Sequence, residues 1–570
     1  MHAVYSKNPL RAAPLSAAFL TLISCVVAVA QGRPSEAATN QPTVIHASTH
    51  AVSDRLDNII NLNRGWRDPD GPFDSDLPGQ AAPGGGNPGG GGGGTGSSLD
   101  PVLQKTYPSL VAFPQVHFDG IGWNGGSPPD PNLAVGTTQV VEIVNTMFAV
   151  FDKSGTPSSP PAKINTLFSS LTSSPCSFAN GGDPIVLYDQ LSNRWFISQL
   201  EFPRTVNGVS NGVVGDHVCV GISQTSDALG AYNLYDFNFD PAGVNFPDYP
   251  KFGVWPDAYY FSANTFQNGS TFIGAQACAF DRNAMIAGAS NPQVICFQSS
   301  SFHSLLPSGL DGTRQPPPGS PNYFMQSNCC TTLSLYKFHA DFVTPASSTF
   351  TGPVNISVAK YSPSGGGNTV PQPGTTDKLE DFGGGRLLYR LSYRNFGTYE
   401  SLLVSHSVQV DANAPGGSQS GVRWYEIRNP GAVARANKGG PVVYQQSTFS
   451  PDSTTWRWMG SIGQDKAGNM LLGYSASSST LFPSIRYTGR RAGIDPLNQM
   501  ESEGQIYNGL GSQLINPNAP TTRNRWGDYT SVAVDPTDDC TLWFVSEYLP
   551  STGFNLWQTH LASFKFVECQ

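Results

Sequence analysis

RWGDYTSVAVDPTDDCTLWFVSEY, residues 525–548, is the stretch that decides the fold. Its first half alternates apolar residues, a tight turn follows at 535–539, and its second half is rich in β-branched and aromatic residues. This pattern predicts two paired strands. The same pattern recurs in RWMGSIGQDKAGNMLLGYSAS, residues 457–477, and in GGDPIVLYDQLSNRWFISQL, residues 181–200. A recurring pair of strands indicates a fold built from similar units.

Seven strand-rich units follow one another along the chain, and most begin roughly 55–70 residues apart. They start near Pro128, Gly181, Asp248, Ser320, Leu387, Arg457 and Arg525. Such units usually form four-stranded sheets arranged radially, because a single sheet cannot bury both of its faces. We therefore predict an all-β, seven-bladed β-propeller, with six or eight blades, or a pair of β-sandwiches, as alternatives. The last unit has too few strands before the C-terminus, so an early strand over Ser109–Phe118 is expected to complete it.

The composition favours short strands and turns over helices. The chain has 570 residues, with 61 glycines, 46 prolines and only 13% charged residues. No segment shows the sustained helical periodicity of a bundle. The formal net charge is -9, and removal of Lys7 and Arg11 with a leader makes it more negative. Nucleic acid is therefore excluded as a partner, because its binding requires a basic surface.

The N-terminus has the pattern of a secretion signal. Two basic residues precede an apolar run, which ends in the small-residue triplet Ala28-Val29-Ala30. We expect a signal peptide at residues 1–30 and a secreted protein, either extracellular or periplasmic. The apolar run is too short for a membrane span. Lipoprotein processing at Cys25, which would anchor the protein through a lipid, is the alternative.

Residues 31–106 are expected to form a disordered Gly/Pro-rich lead-in. GQAAPGGGNPGGGGGGTGSS, residues 79–98, has nothing to bury and is typical of a flexible linker. A short helix within Thr49–Trp66 is the one element considered for this region. The ordered β-propeller domain is expected to occupy residues 107–570.

Eight cysteines remain after the leader, and an even number in an exported protein indicates disulfides. Proximity along the chain favours the pairs Cys278 with Cys296 and Cys540 with Cys569. A bond within Cys329-Cys330 would be an unusual third one. No CxxC pair and no Cys/His cluster has the spacing of a zinc site, so the sequence predicts no metal centre of that kind.

Several motifs resemble a known family. They are YRLSYRNFGTYESLLVSHSV, GVRWYEIR, RWMGSIGQDKAGNMLLGYSASS, FPSIRYTGR, NRWGDYTSVAVDPTDDCTLWF and LASFKF. They look like a widespread family of secreted bacterial proteins that is expected to be β-propeller and has no assigned reaction. The resemblance spans roughly residues 129–566. It implies the fold and export, and it implies no chemistry.

A looser likeness, of fold only, is to sialidase-type propellers. Their characteristic turn follows S/T-x-D-x-G-x-T-W. The segment SPDSTTW, residues 450–456, lacks the glycine and is one residue short. The segment TDDCTLW, residues 537–543, also departs from the pattern, so a sialidase is not predicted. Likeness of fold alone is in any case a weak argument for function.

Residues at the starts of the paired strands are the candidates for a site, because the first strands of propeller blades converge around a central opening. The candidate ligand-binding residues are Asp130, Tyr249, Lys251, Arg390, Arg457, Trp458, Arg525 and Tyr529. Asp183 and Asp528 are candidates for a catalytic acid and base. The three arginines would grip a carboxylate or sulfate together. Alternatively, each charged residue pairs with a neighbouring blade or holds a loop.

The function expected from these features is binding of an extracellular ligand, a glycan or a cell-surface polymer, by a monomer. A carbohydrate-active enzyme, either a glycoside hydrolase or a polysaccharide lyase acting on an anionic glycan, is the first alternative. A protein-binding adhesion or scaffold module is the second. No cofactor is expected, although the acidic turn at residues 535–539 offers oxygen ligands of the kind that calcium prefers. Its spacing does not match an EF-hand loop.

Overall fold

Strands dominate the protein, as the repeated sequence pattern predicts. The computed structural model describes residues 41–62, 73–74, 99–206, 209–364, 366–381, 384–411, 418–431, 440–516 and 523–570. The expected signal peptide at 1–30, the alternative lipid anchor at Cys25 and the glycine-rich segment 79–98 lie outside the described residues. Within the described ranges, no helix is long and apolar enough to cross a membrane.

The first part of the described chain contains short elements and one long strand. They are β1 (Thr43–His46), β2 (Thr49–Val52), α1 (Leu56–Leu62), β3 (Phe73–Asp74), β4 (Pro114–Gly122) and β5 (Gly126–Ser127). β3 and β5 form a small parallel pair.

The next three groups of strands correspond to the first three predicted units. They are β6 (Asn132–Val135), β7 (Gln139–Val144), β8 (Met147–Asp152), β9 (Ala162–Lys163), α2 (Ile164–Leu167), a 3₁₀ helix (Pro175–Ser177), β10 (Gly182–Asp189), β11 (Arg194–Glu201), β12 (Thr205–Val206), β13 (Val209–Ser210), β14 (Asp216–Ser223), β15 (Tyr232–Asp240), β16 (Asn245–Val254), β17 (Ala258–Gln267), β18 (Thr271–Asp281), α3 (Arg282–Ile286) and β19 (Gln293–Ser299). The sheets are β6 to β9, then β10, β11, β14 and β15, then β16 to β19.

The remaining groups correspond to the last four units. They are β20 (Leu306–Leu310), β21 (Asn322–Asn328), β22 (Thr332–His339), a 3₁₀ helix (Pro345–Ser347), β23 (Thr349–Ser357), β24 (Ser362–Pro363), β25 (Gly367–Val370), β26 (Leu379–Asp381), β27 (Leu388–Asn395), β28 (Glu400–Asp411), β29 (Gln419–Arg428), β30 (Val442–Phe449), β31 (Trp456–Gln464), β32 (Met470–Ser477), β33 (Ser484–Arg490), β34 (Gly504–Tyr507), β35 (Ser531–Val534), β36 (Leu542–Tyr548) and β37 (Gln558–Phe564). The groups β20 to β23 and β27 to β30 join through a parallel pairing of β20 with β27. β31 to β34 form one further sheet, and β35 to β37 form another.

The first strands of these groups follow one another in space as well as in sequence. β6, β10, β16, β20, β27, β31 and β35 contact each other in this order, and β35 also contacts β6. Side chains reinforce the contacts: the Ser461 hydroxyl accepts a hydrogen bond from the Val532 N–H at 3.1 Å, and the Ser531 hydroxyl accepts one from the Leu133 N–H at 2.9 Å. This closed order of first strands, each leading an antiparallel sheet, is propeller-like.

The last sheet is completed by an early strand, as expected. β4 pairs antiparallel with β37, so the order of that sheet is β35, β36, β37, β4. The strand covers Pro114–Gly122 and so lies a few residues later than the predicted Ser109–Phe118. This pairing leaves the final three strands of the chain with a fourth partner and fewer unpaired backbone groups.

The turns that join first and second strands follow one scheme. Asp189, Asp465 and Asp535 begin these turns in three different sheets, and each side chain accepts a hydrogen bond from the N–H two residues later, at 2.9–3.0 Å. An aspartate that binds its own turn in this way fixes the reversal locally. The short-range sequence pattern therefore sufficed to predict these hairpins.

Part of the segment for which disorder is predicted is folded, which corrects the lead-in at 31–106. β1 pairs with β19 and β2 pairs with β15, so each adds a fifth strand to one sheet. Asp100 is buried and binds Arg423 at 2.5 Å. The physical reason is that sheet edges carry unpaired N–H and C=O groups, which a passing chain can satisfy without an apolar pattern of its own. Helix α1 lies within the expected Thr49–Trp66.

Four disulfides connect all eight described cysteines. Cys278 binds Cys296 and Cys540 binds Cys569, as proximity along the chain predicts. Cys176 binds Cys219, and the adjacent residues of Cys329-Cys330 are bonded to each other. Disulfides of this number are typical of oxidising compartments.

Candidate functional site

Three predicted site residues occupy equivalent positions near the starts of first strands. Asp130, Asp183 and Tyr249 have φ values of 49°, 47° and 57°, in the left-handed region that non-glycine residues rarely adopt. Each is followed by a proline. In β10 and β16 the pairing register shifts at this point. Such irregularities redirect side chains and are frequent at functional sites.

Asn145, which follows β7, connects two of the predicted aspartates. Its Nδ2 donates to Asp130 Oδ2 at 2.7 Å, and its Oδ1 accepts from the Asp183 N–H at 2.9 Å. Asp130 Oδ1 accepts from the Asp528 N–H at 2.7 Å. The Tyr529 hydroxyl donates to Asp183 Oδ2 at 3.1 Å. These bonds link the first, second and last sheets at one place.

Lys251 is buried beside these carboxyl groups. Its Nζ donates to the carbonyl oxygens of Tyr249 and Pro250 at 3.3 and 3.2 Å. The same atom lies 2.9 Å from the centre of the Tyr249 ring and 4.0 Å from that of Tyr529, which are cation–π contacts. Burial lowers the pKa of Lys251 well below its ordinary value, because the charged form loses its hydration.

Burial has the opposite effect on the neighbouring carboxyl groups. It raises the pKa of Asp183 to about 6 and that of Asp248 to about 8, and the nearby carboxylates add to both shifts. The pKa of Asp130 is raised well above its ordinary value for the same reasons. Burial raises the pKa of Glu547 to about 8, and its Oε1 accepts from the Gly527 N–H at 2.5 Å. Perturbed groups of this kind mark candidate functional sites.

We call this group of side chains the central cluster. Its members are Asp130, Asp183, Asp248, Tyr249, Lys251, Asp528, Tyr529 and Glu547. Asp183 and Asp248 keep part of their surface exposed, whereas the other members are buried. The cluster therefore reaches solvent through these two carboxyl groups.

Arg525 lies at the edge of the central cluster. Its Nη2 donates to Asp528 Oδ2 at 3.0 Å, and its Nε lies 3.3 Å from Glu380 Oε2. Glu380 belongs to β26 and also binds Arg523 at 2.6 Å. Arg386 follows this hairpin, and its Cζ lies 4.2 Å from the centre of the Tyr249 ring. The β25–β26 hairpin therefore borders the cluster.

Arg390 lies beside a small cavity instead. Its Nη2 donates to Asp311 Oδ1 at 2.6 Å, and its Nη1 donates to the Val532 carbonyl at 3.1 Å. The cavity has a volume of about 50 Å³ and is lined by residues of β6, β10, β16, β20, β27 and β35. It has room for a few water molecules and is too small for a sugar ring.

Arg457 and Trp458 support the fold. Arg457 is buried, its Nε donates to Glu503 Oε2 at 2.6 Å, and its Nη2 donates to Asp452 Oδ2 at 2.5 Å. Trp458 is buried with its ring 5.5 Å from that of Trp526. The structure thus gives each of the three predicted arginines a different set of carboxylate partners. The alternative reading, that these charges pair with nearby elements, holds for all three, and the shared grip on one anion does not.

The acidic turn at 535–539 is anchored by basic residues. Lys153 binds Asp535 at 2.7 Å, Lys565 binds Asp538 at 3.0 Å, and the turn's remaining carboxylate, that of Asp539, binds an arginine of β27. In the described part of the chain, no group of three His, Cys, Asp or Glu side chains is placed to hold a metal ion. The turn therefore serves to connect the last sheet to its neighbours.

Exposed aromatic rings surround the central cluster on one face. We call it the upper face, at which the first strands begin, with Asn132, Gly182 and Ser531 among their starting residues. Trp123, Phe178 and Phe554 lie in connections on this face and are 48%, 49% and 44% exposed. The next residue after Trp123 is Asn124, whose Nδ2 donates to the Asn145 carbonyl at 3.0 Å. Trp123 is thus adjacent to the residues that hold Asp130 and Asp183.

Sequence reasoning missed several of these residues. Asp248 and Glu547 belong to the central cluster, Asn145 holds it together, and Trp123 lies next to it. Asp248 was detectable, because it directly precedes Tyr249 in an equivalent of the Gly182-Asp183 position. The exposure of Trp123 has no local signal, since eight other tryptophans of the described chain are buried.

The order of first strands and the cluster at their starts define a propeller-like all-β protein with a site on the upper face. No protein-family model matches the chain, and no curated protein matches it. A lectin from Burkholderia pseudomallei is similar in structure, at 9% identity, with 81% of this chain and 99% of that chain covered and a TM-score of 0.34.

Two further solved structures are similar at comparable levels. For the extracellular domains 1–2 of Drosophila Semaphorin 1b, the identity is 8%, the coverage is 80% of this chain and 88% of that one, and the TM-score is 0.31. For an α-L-arabinanase of Penicillium chrysogenum complexed with arabinobiose, the values are 12%, 67%, 92% and 0.25. Likenesses this weak carry no argument about function, and the resemblance to the secreted bacterial family stays a prediction.

Proposed function

We propose that the protein is an exported, seven-bladed β-propeller that binds an extracellular glycan or cell-surface polymer on its upper face. The closed order of β6, β10, β16, β20, β27, β31 and β35 supports the number of blades. The four disulfides support export, because such bonds persist in oxidising compartments.

The observation that carries the proposal is the position of Trp123. Its exposed ring provides a flat apolar surface on which a sugar ring can stack. Asn124 and Asn145 connect it directly to Asp183, whose partly exposed carboxylate can accept hydrogen bonds from sugar hydroxyls. An aromatic platform beside a carboxylate is a chemistry that suits polyhydroxylated ligands.

A carbohydrate-active enzyme is the second candidate, and the raised pKa of Asp183 favours it. A carboxyl group with a pKa of about 6 holds and releases a proton close to neutral pH, which suits a general acid or base. The three arginines that were expected to bind an anionic glycan are engaged elsewhere, so such an enzyme would act on a glycan without acidic groups.

The test is binding of the full mature chain to a glycan array, followed by calorimetry with the ligands found. Trp123→Ala and Asp183→Asn should each weaken binding about tenfold or more, from loss of stacking and of a charge-assisted hydrogen bond. Phe113→Ala is the matched control, since Phe113 is 61% exposed at the start of β4, on the opposite face.

Equal weakening by Phe113→Ala, or no binding to any glycan, would overturn the proposal. Release of reducing sugar or of an unsaturated product by the wild type would select the enzyme over the pure binding protein. Asp183→Asn should abolish that release.

A further inference from the structure

The central cluster has more carboxyl groups than cations that bind them. Asp130, Asp183 and Asp248 form no salt bridge with any Lys, Arg or His of the described residues. Asp130 binds Asn145 and the Asp528 N–H, and Asp183 binds the Tyr529 hydroxyl. These three carboxyl groups thus have only neutral hydrogen-bond partners.

The basic residues nearby are directed at other groups. Arg525 binds Asp528 and Glu380, and Lys251 faces carbonyl oxygens and the rings of two tyrosines. Negative charge at Asp183 and Asp248 is therefore compensated only at longer range, which is consistent with the direction of their pKa shifts.

Unpaired polar atoms accompany this excess of carboxyl groups. The Tyr249 hydroxyl, Asp528 Oδ1 and Glu547 Oε2 are buried and have no hydrogen-bond partner in the described chain. Tyr249 and Glu547 are 3% and 1% exposed. A buried oxygen without a donor is costly, so these atoms favour a ligand that brings several N–H donors.

The aromatic rings of the cluster already stabilise a cation. Lys251 Nζ lies against the rings of Tyr249 and Tyr529, and Arg386 stacks on Tyr249. Rings that carry a negative face beside carboxylates form an environment in which an ammonium group is more stable than a neutral amide.

We infer that the opening between Asp183 and Asp248 receives a protonated amino group, and that the ligand is therefore a glycan with free amino groups. This inference rests on the proposed function and specifies its ligand class. The ammonium would donate to the two partly exposed carboxylates, while the sugar rings extend toward Trp123. An N-acetylated or a neutral glycan of the same backbone lacks this charge.

The test compares three β-1,4-linked oligomers of equal length, built from glucosamine, N-acetylglucosamine or glucose. Their binding to the full mature chain is measured by calorimetry at pH 6.5 and at two salt concentrations. The glucosamine oligomer should bind about tenfold or more tightly than the other two, and this preference should shrink in high salt.

Asp183→Asn and Asp248→Asn should each reduce the preference several-fold. Asp54→Asn, the same change in an exposed aspartate remote from the cluster, should leave it unchanged. Equal or weaker binding of the glucosamine oligomer would overturn the inference while glycan binding stands. Absence of binding to all three oligomers and to the whole array would overturn the proposed function as well.

Discussion

Replacement of Glu547 by glutamine should remove a large pH dependence from the stability of the protein. Burial raises the pKa of this carboxyl group from 4.5 to about 8. Between these values the folded protein holds a proton that the unfolded chain releases. Its contribution to stability is therefore complete below pH 4.5 and is lost as the pH rises through 8. Each unit is worth about 1.4 kcal/mol, which gives about 5 kcal/mol over the whole window.

The Glu547→Gln variant cannot titrate at this position. Its amide nitrogen would occupy a place where Oε2 has no partner, which costs about 1–3 kcal/mol at every pH. The variant should thus be less stable than the wild type at pH 5. It should be more stable by about 2–4 kcal/mol at pH 8.5, where the wild type carries a buried charge.

The assay is urea unfolding followed by tryptophan fluorescence at a series of pH values. Glu568→Gln, the same change in a partly exposed residue, is the control and should follow the wild-type profile. If the profiles of Glu547→Gln and the wild type run parallel, the carboxyl group is not held protonated and the reasoning is refuted.

Three further outcomes follow from the contacts described. Arg457→Met leaves Glu503 without its buried partner and should cost about 3–5 kcal/mol of stability while glycan binding persists; lost binding in a stable variant would contradict the structural role. Ser531→Ala leaves the buried Leu133 N–H without an acceptor, so unfolding in urea should show a loss of about 1–3 kcal/mol, with Ser551→Ala on the surface as a neutral control. Conversion of both Cys540 and Cys569 to serine opens a link across 29 residues and should cost about 3–4 kcal/mol by chain entropy, measured without reductant; an unchanged urea midpoint would contradict it.

The units of the fold were readable from sequence because their signals are local. A strand of alternating apolar residues and an aspartate that binds its own turn, as at Asp465, lie within a few residues of each other. β4 was predictable because the last unit lacked a strand. β1 and β2 were not, since their order comes from pairing with β19 and β15 rather than from a pattern of their own.

The site was readable only in part, for a related reason. Asp130, Asp183 and Tyr249 share a position before or within first strands, so their sequence context indicated a common location. The partners that occupy the arginines are distant in sequence: Asp311 is 79 residues from Arg390, and Glu503 is 46 residues from Arg457. Which charges are paired and which remain uncompensated depends on the folded chain alone.

The location of the ligand on the upper face is tested most directly through the fluorescence of Trp123. The difference in emission between the wild type and Trp123→Phe isolates this exposed ring from the buried tryptophans. Addition of a glycan that binds by calorimetry should change the difference spectrum, with a midpoint equal to the calorimetric Kd. A glycan that binds with the same affinity and leaves the difference spectrum unchanged would place the ligand elsewhere and contradict the account.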